Sequence, residues 1–125
     1  MSVTVGGAII HSEQPERLRD WYARAFAAGP DDQGPVADTG YAVQLGEHYF
    51  LFFPHEDVSG KAKEPARMII NFIVDDAPAV ASRLDGLGVE WVRPLDRGGP
   101  GFIGTVADPD GNYVQIIQNV DGTDA

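Results

Sequence analysis

The sequence predicts an α+β fold built from two consecutive β-α-β-β-β repeats. Three observations carry this prediction. An apolar, β-branched segment is followed by an amphipathic helical stripe twice along the chain. Each stripe is followed by short strand-like runs separated by turn residues. A tight acidic turn, Asp108-Pro109-Asp110-Gly111-Asn112, then feeds an alternating strand near the C-terminus.

The first repeat occupies about residues 3–56. Val3 to Ile10 is β-branched around Gly6-Gly7 and reads as a strand with a close backbone approach or bulge at the glycines. Pro15 fits a first helical turn, and Leu18, Trp21, Tyr22, Ala25 and Phe26 fall on one apolar stripe, with the helix expected to stop before Gly29-Pro30. Asp31 to Asp38 is rich in Gly, Pro and Asp and reads as a loop, although a short strand hidden there would complete the β-α-β-β-β order. Tyr41 to Leu45 and His48 to Phe53 read as two strands about a turn at Gly46-Glu47.

A linker is expected at about residues 57–65, where Gly60-Lys61-Ala62-Lys63-Glu64-Pro65 is polar and bounded by Gly and Pro. The second repeat, about 66–120, begins with a strand from Ala66 to Val74. Asp75-Asp76 offers an N-cap, and Ala77, Val80, Ala81 and Leu84 form a helical stripe ending at Gly88. Strands are expected over Val89 to Arg93, Gly101 to Ala107 and Asn112 to Gln118. In the last, alternation puts Tyr113, Gln115 and Ile117 on one face and Val114, Ile116 and Gln118 on the other.

A chain of 125 residues suits one domain, 1–125, since a repeat of about 60 residues buries too little surface to stand alone. The 43% hydrophobic content argues for a packed core, and no apolar run reaches the ~20 residues of a membrane span. Met1-Ser2-Val3-Thr4-Val5 lacks the charged and apolar regions of a signal peptide, so a cytoplasmic location is expected. The chain has no cysteine, which excludes disulfides, thiolate metal sites and cysteine nucleophiles. A formal charge of −10 repels nucleic-acid phosphates and anionic lipid heads, so neither nucleic acid nor membrane is an expected partner.

The Asp108–Asn112 turn with its strand resembles the closing hairpin of the vicinal-oxygen-chelate superfamily, which includes glyoxalase I, bleomycin-resistance proteins, extradiol dioxygenases and fosfomycin-resistance enzymes. Gln14-Pro15-Glu16-Arg17-Leu18 before Trp21-Tyr22 looks like the start of that family's first helix, and Phe72-Ile73-Val74-Asp75-Asp76 like the start of its second. The resemblance covers nearly the whole chain. It implies a glyoxalase/bleomycin-resistance-like domain whose curved mixed sheet encloses a cleft. Metal-using members hold a divalent ion with one N or O donor from each of four strands. By the resemblance those positions are Gly7, Leu51, Ile69 and Gln115 here, the last replacing a customary Glu. Glycine and two aliphatic side chains donate nothing to a metal, and Gln115 offers one neutral carbonyl. No metal and no other cofactor is therefore expected. His48 has the opposite strand parity to Leu51, His55 follows Pro54 into a loop, and Glu47 sits in a turn, so none of them rebuilds the site.

Parity from the four positions gives a cleft lining of Ile9, His11, Tyr49, Leu51, Phe53, Ile69, Asn71, Ile73, Tyr113, Gln115 and Ile117. An apolar, aromatic lining with a few amides suits a small organic ligand oriented by one or two hydrogen bonds. Asn71, inside the apolar run Met68 to Val74, costs roughly 1 to 3 kcal/mol if buried unpaired, so it pairs with a ligand, a water or the backbone. Trp91 and Phe102 are candidate aromatic walls, with core packing as the competing role. His11 is a candidate ligand contact or acid-base group, with helix-entry hydrogen bonding as its alternative. Gly98-Gly99-Pro100-Gly101, near Arg93 and Arg97, reads as a turn and lacks the pattern of a phosphate cradle. No Ser-His-Asp arrangement is present, and Asp75-Asp76 and Asp108-Asp110 read as capping and turn residues.

The expected function is binding of a small organic molecule, an antibiotic or an aromatic metabolite, with His11, Tyr49, Leu51, Phe53, Asn71, Trp91, Phe102, Tyr113 and Gln115 as contacts and no metal. The alternative is a divalent-metal-dependent lyase or dioxygenase of the same superfamily. The resemblance also implies a homodimer, and acidic bleomycin-resistance relatives that sequester a cationic drug fit the charge of −10.

Overall fold

A computed structural model describes residues 1–98 and 101–119. The chain forms two compact units, Met1–Gly60 and Lys61–Ala125. In the first, strand β1 (Gly7–His11) leads to helix α1 (Pro15–Ala25), and strands β2 (Gln33–Val36), β3 (Gly40–Leu45) and β4 (His48–Phe53) follow. In the second, β5 (Ile70–Ile73) leads to α2 (Ala77–Gly86), then β6 (Glu90–Gly98), β7 (Gly101–Ala107) and β8 (Tyr113–Asn119). Each unit thus reads β-α-β-β-β. The sheet orders are β1-β4-β3-β2 and β5-β8-β7-β6, with the first strand of each unit parallel to the last and the other pairings antiparallel. Among the described residues the architecture is α+β with two four-stranded mixed sheets, one in each unit.

Each sheet buries the face that meets its helix. Leu18, Trp21, Tyr22 and Ala25 of α1 are buried, as the helical spacing predicts, and α1 packs on β3 and β4, where Val43, Phe50 and Phe52 are buried. The Tyr22 and Phe52 rings lie 5.4 Å apart. Beside this core, the Arg19 guanidinium stands 4.8 Å over the Tyr41 ring. The Glu16 carboxylate beside Tyr41, more than burial, raises that phenol above its ordinary pKa. In the second unit α2 packs on β6 and β8, and Val80, Leu84, Val106, Val114 and Ile116 are buried. Asp76 caps α2, its carboxylate accepting from Ala79 N at 3.1 Å.

Four elements differ in extent from the expectation. β1 starts at Gly7 because Val3 and Val5 are exposed; upstream of it the contacts are Tyr49 N donating to Gly6 O at 2.8 Å and His48 Nδ1 donating to Val5 O at 2.8 Å. The Asp31–Asp38 region contains a 3-10 turn, Pro30–Asp32, and then the short strand β2. Pro65–Arg67 is also a 3-10 turn, so β5 begins only at Ile70. β6 runs past Pro94 to Gly98, with irregular register between Trp91 and Arg93 and between Arg93 and Asp96. Pro35 and Pro94 lie in β2 and β6, both edge strands, where a missing N–H breaks no central ladder. Gly99, Pro100 and Val120, parts of the expected glycine-rich turn and second repeat, lie outside the described residues.

The closing turn is fixed by Asp108. Its Oδ1 accepts from Asp110 N at 2.9 Å and Asn112 N at 3.0 Å, and its Oδ2 accepts from Asn112 Nδ2 at 2.9 Å. Gly111 adopts φ +83°, the left-handed value this turn requires. Asp110 O accepts from Ala62 N at 2.8 Å, tying the start of the second unit to the same turn.

Candidate functional site

The sheet face opposite α1 is formed by alternate residues of its strands. Val43, Phe50 and Phe52 point to the helix, so the partners Gly7 and Tyr49, Ile9 and Leu51, and His11 and Phe53 lie on the open side. Ile9 is 57% exposed and Tyr49 54% exposed, while Leu51 and Phe53 are half-buried. Phe53 lies flat over Gly40, where an added Cβ would overlap its ring. The open side is therefore an apolar, aromatic surface floored at one point by a glycine.

His11 closes this row. Its Nδ1 donates to Phe53 O at 3.3 Å, and its ring meets His55 edge to face with centroids 4.8 Å apart. His55 Nδ1 accepts from Asp57 N at 3.0 Å, so the second imidazole is held by its own loop. Beside it, a recess of about 500 Å³ is lined by Glu13, Pro54, Glu56 and Ser59 among others. Sequence reasoning missed this recess, because it forms where the chain leaves β4 and passes the start of α1. Glu13 Oε1 accepts from Gly60 N at 2.5 Å across it, a contact between residues 47 positions apart that no local pattern announces.

In the second unit the open face is the one opposite Val106, Val114 and Ile116. Asn71 and Gln115 are cross-strand partners there, as are Gln115 and Thr105. Gln115 Nε2 donates to Asn71 Oδ1 at 2.8 Å, and Thr105 Oγ1 donates to Gln115 Oε1 at 3.4 Å. Tyr113 and Ala107 form the neighbouring row on one side, and Ile73, Ile117 and Ile103 the row on the other, with Ile73 56% exposed. Asn71 is exposed and paired through its carbonyl, so it is not the buried, unpaired amide whose cost the sequence reading weighed.

Two expected contacts belong elsewhere. Trp91 faces α2, its Nε1 donating to Asp85 Oδ1 at 2.7 Å, and its cross-strand partner is the buried Val106. Phe102 is the partner of Gln118, whose amide bonds Asp75 O and Ala77 N at the start of α2. Both rings are on the helix side of their sheet, away from Asn71 and Gln115. Parity along β7, which sets Phe102 with Gly104 and Val106, carried this signal.

The four positions that the family resemblance assigns to metal ligands share a geometry. Leu51 lies two residues beyond Tyr49, the partner of Gly7. Extending the β5–β8 register by one residue pairs Ile69 with Tyr113, and Gln115 lies two residues beyond. The donors do not fit a metal. Among the described residues no three His, Cys, Asp or Glu side chains converge on a metal position. Gly7 is further constrained: it adopts φ +154°, and a Cβ there would overlap the Tyr49 carbonyl. No side chain, and so no ligand, is accommodated at that position without moving β4.

Residues 7–117 match the family model of the glyoxalase-like domain, and the chain belongs to that family, within the vicinal-oxygen-chelate superfamily. A lactoylglutathione lyase from Pseudomonas aeruginosa is 45% identical over 49 residues, which are 39% of this chain and 27% of that protein. The match thus spans little more than a quarter of the relative. Among solved structures, the fosfomycin resistance protein FosX from Mesorhizobium loti superposes with a TM-score of 0.72 at 19% identity, covering 93% of this chain and 92% of that one. A lactoylglutathione lyase from Agrobacterium tumefaciens superposes at 0.69 with 16% identity, covering 99% and 98%. At these identities the likeness is one of fold.

Proposed function

We propose that this chain binds a small, mainly apolar organic molecule on the open faces of its sheets, and does so without the divalent metal of its metal-using relatives. The observation that carries the reading is the donor set: glycine, leucine, isoleucine and glutamine stand at the four positions, and the glycine is sterically required. Charge supports a neutral or cationic ligand over an anionic one, since the chain carries −10. A small molecule gains most where aromatic and aliphatic side chains meet a few fixed polar groups, and each open face taken by itself offers such a set, His11, Tyr49, Leu51 and Phe53 on the first unit and Asn71, Tyr113 and Gln115 on the second. Pairing of two copies as a homodimer is part of the same reading, because exposed apolar side chains such as Ile9, Tyr49 and Ile73 gain by being covered.

The second reading, a metal-dependent lyase or dioxygenase, is favoured by the stretch shared with the Pseudomonas lactoylglutathione lyase. The two separate by metal content. Purified, untagged protein is incubated with zinc, nickel, manganese and iron(II), freed of unbound ions and analysed by mass spectrometry. A small fraction of an equivalent is expected; near-stoichiometric metal sinks the metal-free reading and restores the enzyme.

A further inference from the structure

On the open face of the second unit, Asn71, Gln115 and Thr105 stand side by side on β5, β8 and β7. Their hydrogen bonds run in one direction. The buried Thr105 hydroxyl donates to Gln115 Oε1, and Gln115 Nε2 donates to Asn71 Oδ1. In this orientation of the amides each carbonyl accepts from the buried side, which polarises the row. The group left at the exposed end is the Asn71 amide nitrogen, a donor with no acceptor character.

We propose that this row is a specificity device: Asn71 Nδ2 donates to an uncharged acceptor oxygen of the ligand, so the site selects carbonyl-bearing organic molecules over hydrocarbons of the same shape. The proposal rests on the binding reading above. Apolar rows flank the amides, Ile73, Ile117 and Ile103 on one side and Tyr113 with Ala107 on the other, so a flat apolar body lies beside the donor. Arg93 is the β6 partner of Thr105, at the end of the row away from Asn71; Asn71 itself has apolar rows on both sides, and the protein's negative charge opposes an anion, which leaves a neutral carbonyl as the matching acceptor. Gln115 and Thr105 are positioning residues here; Asn71 makes the contact.

The test compares two neutral naphthalenes, 6-propionyl-2-(dimethylamino)naphthalene and its 6-propyl analogue, by fluorescence titration. The side-chain amide resonances of Asn71 and Gln115 are followed by NMR in the same samples. One neutral hydrogen bond predicts a preference for the ketone of about five- to tenfold, with the Asn71 amide protons moving for the ketone alone. Asn71→Asp still accepts from Gln115 Nε2 but presents only acceptors, and the preference should fall to parity or reverse. Thr105→Val removes the first donor of the row and should reduce the preference while leaving the affinity for the propyl analogue unchanged, which loss of fold would not do. Equal affinity of the two probes for the native protein, or a preference retained in Asn71→Asp, overturns the proposal while the binding reading stands. If neither probe binds, the binding reading and this proposal fall together.

Discussion

Gly7 governs what the first strand is able to do. With φ +154° and the Tyr49 carbonyl where a Cβ would stand, even alanine forces β1 and β4 apart. Gly7→Ala should destabilise the protein by about 3 kcal/mol, read from the midpoint of urea unfolding at unchanged slope. Gly7→His, the substitution that would restore a ligand by type, should lose at least as much stability and gain no zinc. A Gly7→His protein of native stability would show that the strand is less fixed than its geometry. The residue type at position 7 was plain in the sequence, but its reason was not: the close approach joins residues 42 positions apart. Asn71 was legible as an odd amide in an apolar run, whereas its partners Gln115 and Thr105 depended on strand register. Trp91 and Phe102 misled because aromatic type says nothing about which face of a sheet a residue occupies.

Among the elements, the turn before β8 has the clearest chemical cause. Asp108 accepts three hydrogen bonds in a buried setting, so Asp108→Ala strands two backbone N–H groups. A loss of about 2 to 4 kcal/mol is expected by chemical denaturation, with protection of the Asn112 amide falling in hydrogen exchange. Unchanged stability would mean that water replaces the carboxylate at no cost. This turn, both helices, and β3, β4, β7 and β8 were legible because turn chemistry and period are local signals. β2 and the far half of β6 were not, since proline reads as a strand breaker unless the strand is known to lie at an edge. Edge position is a property of topology, which the sequence order of elements does not state.

At the scale of the whole molecule, residues 1–60 and 61–125 are each too short for a large core of their own. We propose that they unfold as one cooperative domain, and calorimetry of the full chain should give a single transition with equal calorimetric and van't Hoff enthalpies. Two resolved transitions would make them independent domains. The two edge prolines bear on how the protein behaves when concentrated. An open sheet edge is a template onto which another chain adds a strand, and β2 and β6 each form one edge of their sheet, opposite β1 and β5, with Pro35 and Pro94 contributing no N–H there. The same residues that obscured β2 and the far half of β6 in the sequence thus guard these two edges against runaway polymerisation.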